Sequence, residues 1–225
     1  MGRQLVGVIV YVALFAAFLF VPAGTLHWRA AWILLAVVFV ARALGAGRLW
    51  MVQRELALER TKLPIQPGQI PADRPLVLGS MASFAALVGF ASLDLWHLHL
   101  LPGFPPSLRV IGLVIFASGW WIVYLALSAN AYAVCVVRFQ EERGHTVAVG
   151  GLYRHVRHPM YAGVVLVMVG LCTWLGSTAA LIATLVPVAI LMVRIVFEER
   201  MLRARLAGYG EYTARVRWRL VPGVW

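Results

Sequence analysis

The chain has 225 residues, 62% of them hydrophobic, and a mean hydropathy of +0.83. Soluble domains sit nearer half apolar, so the composition excludes an ordinary soluble globule and indicates an integral membrane protein. The formal charge of +11 invites a nucleic-acid reading. Its placement argues otherwise: the arginines flank apolar runs, where they orient a membrane chain and meet anionic lipid headgroups, and no nucleic-acid partner is expected.

Apolar runs predict spans at residues 5–21, 30–49, 76–95, 107–133, 160–175 and 178–197. Each is near the ~20 residues a helix needs to cross a bilayer. The fold class expected is therefore an all-α integral membrane protein of about six transmembrane helices, the last two a tight hairpin closed by LGST. The segment VPAGTLHW after the first run mimics a signal-peptide cleavage site, but the topology needs that run and it reads as a retained helix. Between the second and third spans, VQRELALERTKL carries Glu55 and Glu59 at helical spacing beside Arg54 and Arg60, which predicts a short interfacial helix. Pro64, Pro67, Pro71 and Pro75 forbid its continuation. His97 and His99 in the next loop lack a third ligand, and no metal site is expected. Gly112 and Gly119 supply small residues for packing the fourth span, equally within the chain or between chains. Cys135 and Cys172 match no metal or redox spacing and read as two buried free thiols.

With the N-terminus inside, every Lys and Arg except Arg29 and Arg109 falls on the inner side. The positive-inside rule then places both termini in the cytoplasm.

The stretch GLYRHVRHPMYAG, residues 151–163, packs Tyr153, Arg154, His155, Arg157, His158 and Tyr161 beside a membrane segment. Polar groups there are costly, so such a cluster points to ligand binding or chemistry. Upstream, Thr146 to Val149 is short and β-prone, and Gly150-Gly151 permits close backbone approach to a ligand. Pro159 fits the first position of a helix, whose N-terminus attracts anions. His158 and Tyr161 flank that start and would face one way. At the inner end of the last span, Arg194 and Glu198 share a helix face, with Glu199 alongside. They make either a closing ion pair or a grip on ligand charges. The basic, aromatic tail that follows either coats the membrane surface or lids a pocket.

These motifs carry a resemblance. RHPMYAG, the upstream GHTVAVGGLY, EERML after the last span and the closing GYGEYTARVRWRLVP resemble the isoprenylcysteine carboxyl methyltransferase family. That family comprises integral membrane enzymes using S-adenosylmethionine, with phospholipid N-methyltransferases as more distant relatives. The similarity covers residues 130–225; the N-terminal half matches only in its span pattern and proline-rich loop. It implies N-terminal membrane helices over 1–133 and a catalytic, cofactor-binding region over 134–225, with the site at the cytoplasmic face. By position it implies a cofactor pocket from Gln140, His145, Thr146, Val147, Ala148, Tyr153, His158, Pro159, Met160, Tyr161, Glu198 and Glu199. The Gln140 match requires a gap. Arg194 aligns with an arginine tied to substrate binding or catalysis, and would hold an acceptor carboxylate. Glu198 would pair with the cofactor's amine, His158 and nearby amides with its carboxylate, and Tyr153 and Tyr161 with adenine or ribose. The partners implied are membrane lipids and a lipophilic small molecule or lipid-modified cysteine as acceptor.

Two other readings compete. Membrane sterol reductases, which use NADPH, share features of the tail but carry Asn and Asp where this chain has Met160 and Val164. A non-enzymatic scaffold or transport component is the other; a transporter needs mid-membrane polar residues, which these spans scarcely offer beyond Ser83, Ser118 and Ser128.

Overall fold

The computed structural model describes every residue except Met1 and Gln53, and of those it describes, every side chain except Arg3, Val52, Arg54 and Glu55. The expected charge pattern around Arg54 and Glu55 lies outside the described side chains. The fold is all-helical: α1 (Gly2–Ala23), α2 (Arg29–Val52), α3 (Arg54–Glu59), α4 (Asp73–Leu93) with a π turn at Asp94–Leu98, α5 (Pro106–Ala129), α6 (Pro159–Leu175), α7 (Thr178–Ala183), α8 (Leu185–Arg205) and α9 (Tyr209–Arg215). Among the described residues no strand forms, only a single antiparallel bridge between Gln69 and Arg138. The β-prone Thr146–Val149 stretch takes no regular secondary structure.

Five stretches are long and apolar enough to cross a membrane, namely Gln4–Ala23, Arg29–Met51, Asp73–Leu98, Pro106–Ala129 and Thr178–Arg205. The fifth expected span, α6, has 17 residues, about 25 Å of helix, and is shorter than the rest. The sixth is interrupted. α7 stops at Ala183 and α8 begins at Leu185, because Pro187 has no amide hydrogen to offer the Ala183 carbonyl. α5 ends earlier than the apolar run does. Asn130 Oδ1 accepts from the Tyr132 amide at 2.9 Å, a local turn that competes with another helical turn. Arg42 and Arg48, counted as inner-side charges from the sequence, lie within α2 itself.

The expected interfacial helix is α3, six residues long, with Leu56 and Ala57 buried against the bundle. The proline-rich segment after it docks on the loop that follows α5: the Ile70 amide donates to the Val137 carbonyl at 3.2 Å. Of the two cysteines, Cys172 is buried as expected, but Cys135 is exposed on that loop; both are free thiols.

The helices bury Phe15, Leu19, Leu34, Val38, Val88, Phe116 and Leu171 in one core, while Leu5, Ile9, Leu14, Val21, Val110 and Val114 face outward. An outward apolar face suits hydrocarbon. The closest helix contact is α5 on α6, and glycine makes it possible. A Cβ on Gly119 would lie 2.7 Å from the Val167 amide nitrogen, and one on Gly163 would lie 2.8 Å from the Gly119 carbonyl oxygen. Gly112 and Gly170 extend the same seam, so the small residues of the fourth span serve packing within the chain. The hairpin turn is set by Gly176 at φ +105° and by Ser177, which caps α7 and donates to Asp94 at 2.6 Å.

Gly170→Leu forces α5 and α6 apart and is expected to cost about 1–3 kcal/mol or more. Gly47→Leu, whose Cβ meets nothing within 4 Å, is expected to stay within about 0.5 kcal/mol of the parent in detergent unfolding measurements.

Candidate active site

The loop after α5 folds around a buried glutamine. Gln140 Nε2 donates to the Tyr132 carbonyl at 2.7 Å, and its Oε1 accepts from Arg143, which also donates to the Ala131 carbonyl. The His145 ring stacks on Tyr132 at 4.4 Å and on Phe139 at 5.5 Å. Burial, followed by the nearby Arg143 and Arg138 charges, pulls the His145 imidazole down to about 4, so the ring is uncharged at neutral pH. Gly151, at φ +56°, then turns the chain into the 3₁₀ segment Gly151–Arg154.

Only part of the polar cluster at 151–163 faces inward. Arg154 and His155 are exposed, whereas Tyr153, Arg157, His158 and Tyr161 are buried. Pro159 opens α6 at its first position, as expected. The His158 and Tyr161 rings stack at 5.6 Å. Tyr161 donates its hydroxyl hydrogen to Glu198 Oε2 at 2.7 Å. Successive helical residues point about 100° apart, so Glu199 faces elsewhere. Arg157 Nε donates to Glu199 Oε1 at 2.6 Å and Arg219 Nε to Oε2 at 3.0 Å, with His158 Nε2 at 3.1 Å from Oε1.

The same residues hold the C-terminal tail. Arg157 Nη1 donates to the Val216 and Arg217 carbonyls at 2.9 and 2.8 Å. The Arg157 and His158 amides donate to the Trp218 and Arg219 carbonyls, both at 2.9 Å. The tail is thus a strap across the start of α6. Just before it, α9 presents Tyr209 and Tyr212, and the Tyr212 hydroxyl donates to the Tyr153 carbonyl at 2.8 Å.

Loop, α6, α8 and α9 line an open cleft of about 760 Å³ including its mouth. Of the residues expected from the sequence, His145, Thr146, Val147, Ala148, Tyr153, His158, Met160, Tyr161 and Glu198 line it. Gln140, Pro159, Glu199 and Arg194 do not. Gln140 and Glu199 sit behind the wall and brace it, their polar atoms engaged by the partners above. Asn130, Arg138, Met201, Tyr209 and Tyr212 line the cleft and were not singled out from the sequence. Arg138 Nη1 and Nη2 pair with Glu142 and Glu59, while its buried Nε has no partner among the described residues. Burial raises the Tyr153 phenol to about 12 and pushes Tyr209 and Tyr212 up as well, so these three hydroxyls stay protonated.

Arg194 occupies a different niche. Its Nε donates to Asp73 Oδ1 at 2.8 Å and its Nη2 to the Cys135 carbonyl at 2.6 Å, with the guanidinium carbon 5.9 Å from the Tyr161 ring centre. Asp73 is fully buried and also accepts from Gln69 Nε2 and the Val137 amide, each at 2.8 Å. One carboxylate therefore joins the proline-rich segment, the loop after α5 and α8. Sequence reasoning passed over Asp73; the available signal was a lone acid in ADRP at the foot of an apolar span.

Removing one member of a buried ion pair costs about 3–5 kcal/mol because the partner is left uncompensated. Asp73→Leu and Arg194→Met are each expected to lose that much in detergent unfolding. The double variant is expected to lose clearly less than the sum; strict additivity would show that the pair is uncoupled.

Residues 108–208 match the phospholipid methyltransferase family, a stretch reaching from the start of α5 to Gly208 before α9. No curated protein matches the chain. The match selects methyl transfer over the reductase and scaffold readings, and it spans the loop, α6 and the glutamate-bearing end of α8. Over this stretch the chain is similar to the phospholipid methyltransferase family, membrane methyltransferases related to the isoprenylcysteine carboxyl methyltransferases.

Proposed function

We propose that this membrane methyltransferase binds S-adenosylmethionine in the cleft between the loop after α5, α6, α8 and α9, and methylates a carboxylate on a lipophilic acceptor. The observation that carries the reading is Glu198, a carboxylate held by Tyr161 in an aromatic-walled cleft at the arginine-rich end of the helices. The donor set suits the cofactor. Glu198 answers its amine, and the partnerless Arg138 Nε answers its carboxylate. The neutral His145, Tyr153, Tyr209 and Tyr212 give flat apolar faces for adenine. When bound, the cofactor supplies an electrophilic methyl group on a sulfonium. The residues of the chain align it and keep water out, the main requirement for an in-line displacement.

The protonation of the phenols lining the cleft supports a carboxylate acceptor. The phenols of Tyr153, Tyr209 and Tyr212 stay protonated, so none serves as a base at neutral pH. A carboxylate is already ionised there and needs no base. An isoprenylated cysteine carries such a group on a membrane-seeking chain, and the outward apolar helix faces favour its lateral arrival. Both termini and the cleft face the cytoplasm, on the distribution of Lys and Arg. The division at residue 133 separates a membrane scaffold from the catalytic region, with Asp73 reaching across it to Val137 and Arg194.

Arg194 is committed to Asp73 and Cys135 in the protein as folded. We therefore assign it as a positioning residue behind Tyr161 rather than as the group that grips the acceptor. Glu199 and Gln140 brace the cleft in the same way, and Pro159 fixes the start of α6.

Calorimetry on the detergent-purified protein is expected to show S-adenosylmethionine binding, weakened at least about tenfold by Glu198→Ala, and no binding of NADPH. Unaltered binding in that variant would remove Glu198 from the pocket. With labelled cofactor, N-acetyl-S-farnesylcysteine is expected to take up alkali-labile label, the mark of a methyl ester. Alkali-stable label on phosphatidylethanolamine instead would assign an amine acceptor. The carboxylate reading also predicts no acceptor titration between about pH 6 and 9, since an α-carboxyl ionises near ~3.5. Arg194→Lys is expected to lower kcat more than about tenfold while changing cofactor affinity less than about threefold. Equal losses in both would mean a purely structural role.

A further inference from the structure

A second cleft opens on the other side of the wall, between α1, α2, α3 and α5. It encloses about 1150 Å³ including its mouth. Val8, Leu49, Val123 and Leu127 make its walls apolar, yet Arg42, Arg48 and Arg60 line it and no described acidic residue does. None of the ion pairs among the described residues involves these three arginines.

Arg42 is the unusual member. It lies ten residues before the end of α2, about 15 Å along the helix and beyond the reach of a snorkelling side chain. Its buried Nε has no hydrogen-bond partner among the described residues, and the guanidinium rests 4.5 Å over the Tyr11 ring. Trp120 Nε1, on the same cleft, is also buried without a partner. A cation and a second donor left unmatched at membrane depth are costly unless an acceptor enters from outside the chain. Arg48, by contrast, donates to the Tyr124 hydroxyl at 2.7 Å.

We propose that this cleft binds an acidic amphiphile, its anionic head on Arg42 and the Trp120 indole nitrogen and its hydrocarbon chain along the apolar wall. The occupant is distinct from the methyl acceptor. Residues 127–133 separate the two clefts, and Arg60 stiffens that partition by donating to the Leu127, Asn130 and Ala133 carbonyls at 2.7, 3.1 and 3.0 Å. Burial lowers Arg60 to about 10, so it remains cationic at neutral pH. Asn130 in turn donates to the Tyr153 hydroxyl at 3.3 Å, so occupancy on one side bears on a wall of the other. The head chemistry is shared by a fatty acid and an acidic phospholipid.

Native mass spectrometry of the full chain in neutral detergent, titrated with oleate and with phosphatidylglycerol, tests this. At least one of the two is expected to bind once per chain, at least about tenfold more tightly than methyl oleate or phosphatidylcholine, and which one binds names the source. Arg42→Met is expected to weaken that binding about tenfold or more. Gly45→Leu leaves every charge in place but projects a side chain into the open cleft, where a Cβ meets nothing within 4 Å, and is expected to block binding while keeping the unfolding transition. Binding of neither acidic lipid, equal binding of the neutral ones, or full binding by a folded Gly45→Leu variant would overturn the proposal.

Discussion

Glu199 draws Arg157, His158 and Arg219 together in a place almost without water. A carboxylate so buried is tolerable only when its oxygens are answered, and here the answers come from three separate stretches of chain. α8 supplies the acid, the entry to α6 supplies one guanidinium and the imidazole, and the C-terminal tail supplies the other guanidinium. Because Arg157 also holds two tail carbonyls, the ion cluster doubles as the clasp that lays the tail over the cleft. The position of every wall of the cleft except the loop after α5 follows from that clasp.

Two further constraints fix the remaining geometry. The glycine seam brings the α5 and α6 backbones together so closely that no side chain fits between them, and the entry of α6 is thereby held against the end of α5. Asp73 ties the loop after α5 to α8 through Arg194 and to the proline-rich segment through Gln69. The N-terminal helices are thus joined to the site by a buried charge pair. Neutral aromatic rings then occupy the cleft surface, with Glu198 left facing it. The division of labour between adjacent glutamates, one structural and one facing the cleft, is set by their angular offset on α8.

Much of this was legible in the chain. Apolar runs located the helices, since hydrocarbon tolerates little else over ~20 residues. Pro159 and Gly176 marked the ends of α6, because one has no amide hydrogen to lose and the other accepts positive φ. Nine of the positions singled out for the pocket line the cleft. The misses share a cause. Asp73, Tyr209 and Tyr212 lie far in sequence from the cluster at 151–163, and no periodicity connects them to it. Arg194 looked free because its partner sits 121 residues away. Thr146 to Val149 has β-prone side chains but no neighbouring strand, and strand structure needs a partner.

The sequence by itself determined that this is a helical membrane protein, roughly where its apolar helices lie, and that a polar cluster sits beside one of them. Those properties follow from local patterns: the length of apolar runs, the backbone limits of proline and glycine, and motif spacing. Only the tertiary structure decided which of two adjacent glutamates faces the cleft, that Arg194 is spent on Asp73, and that Arg42 meets no anion among the described residues. Each of these depends on which distant group arrives to answer a buried charge, and that is settled by packing in three dimensions.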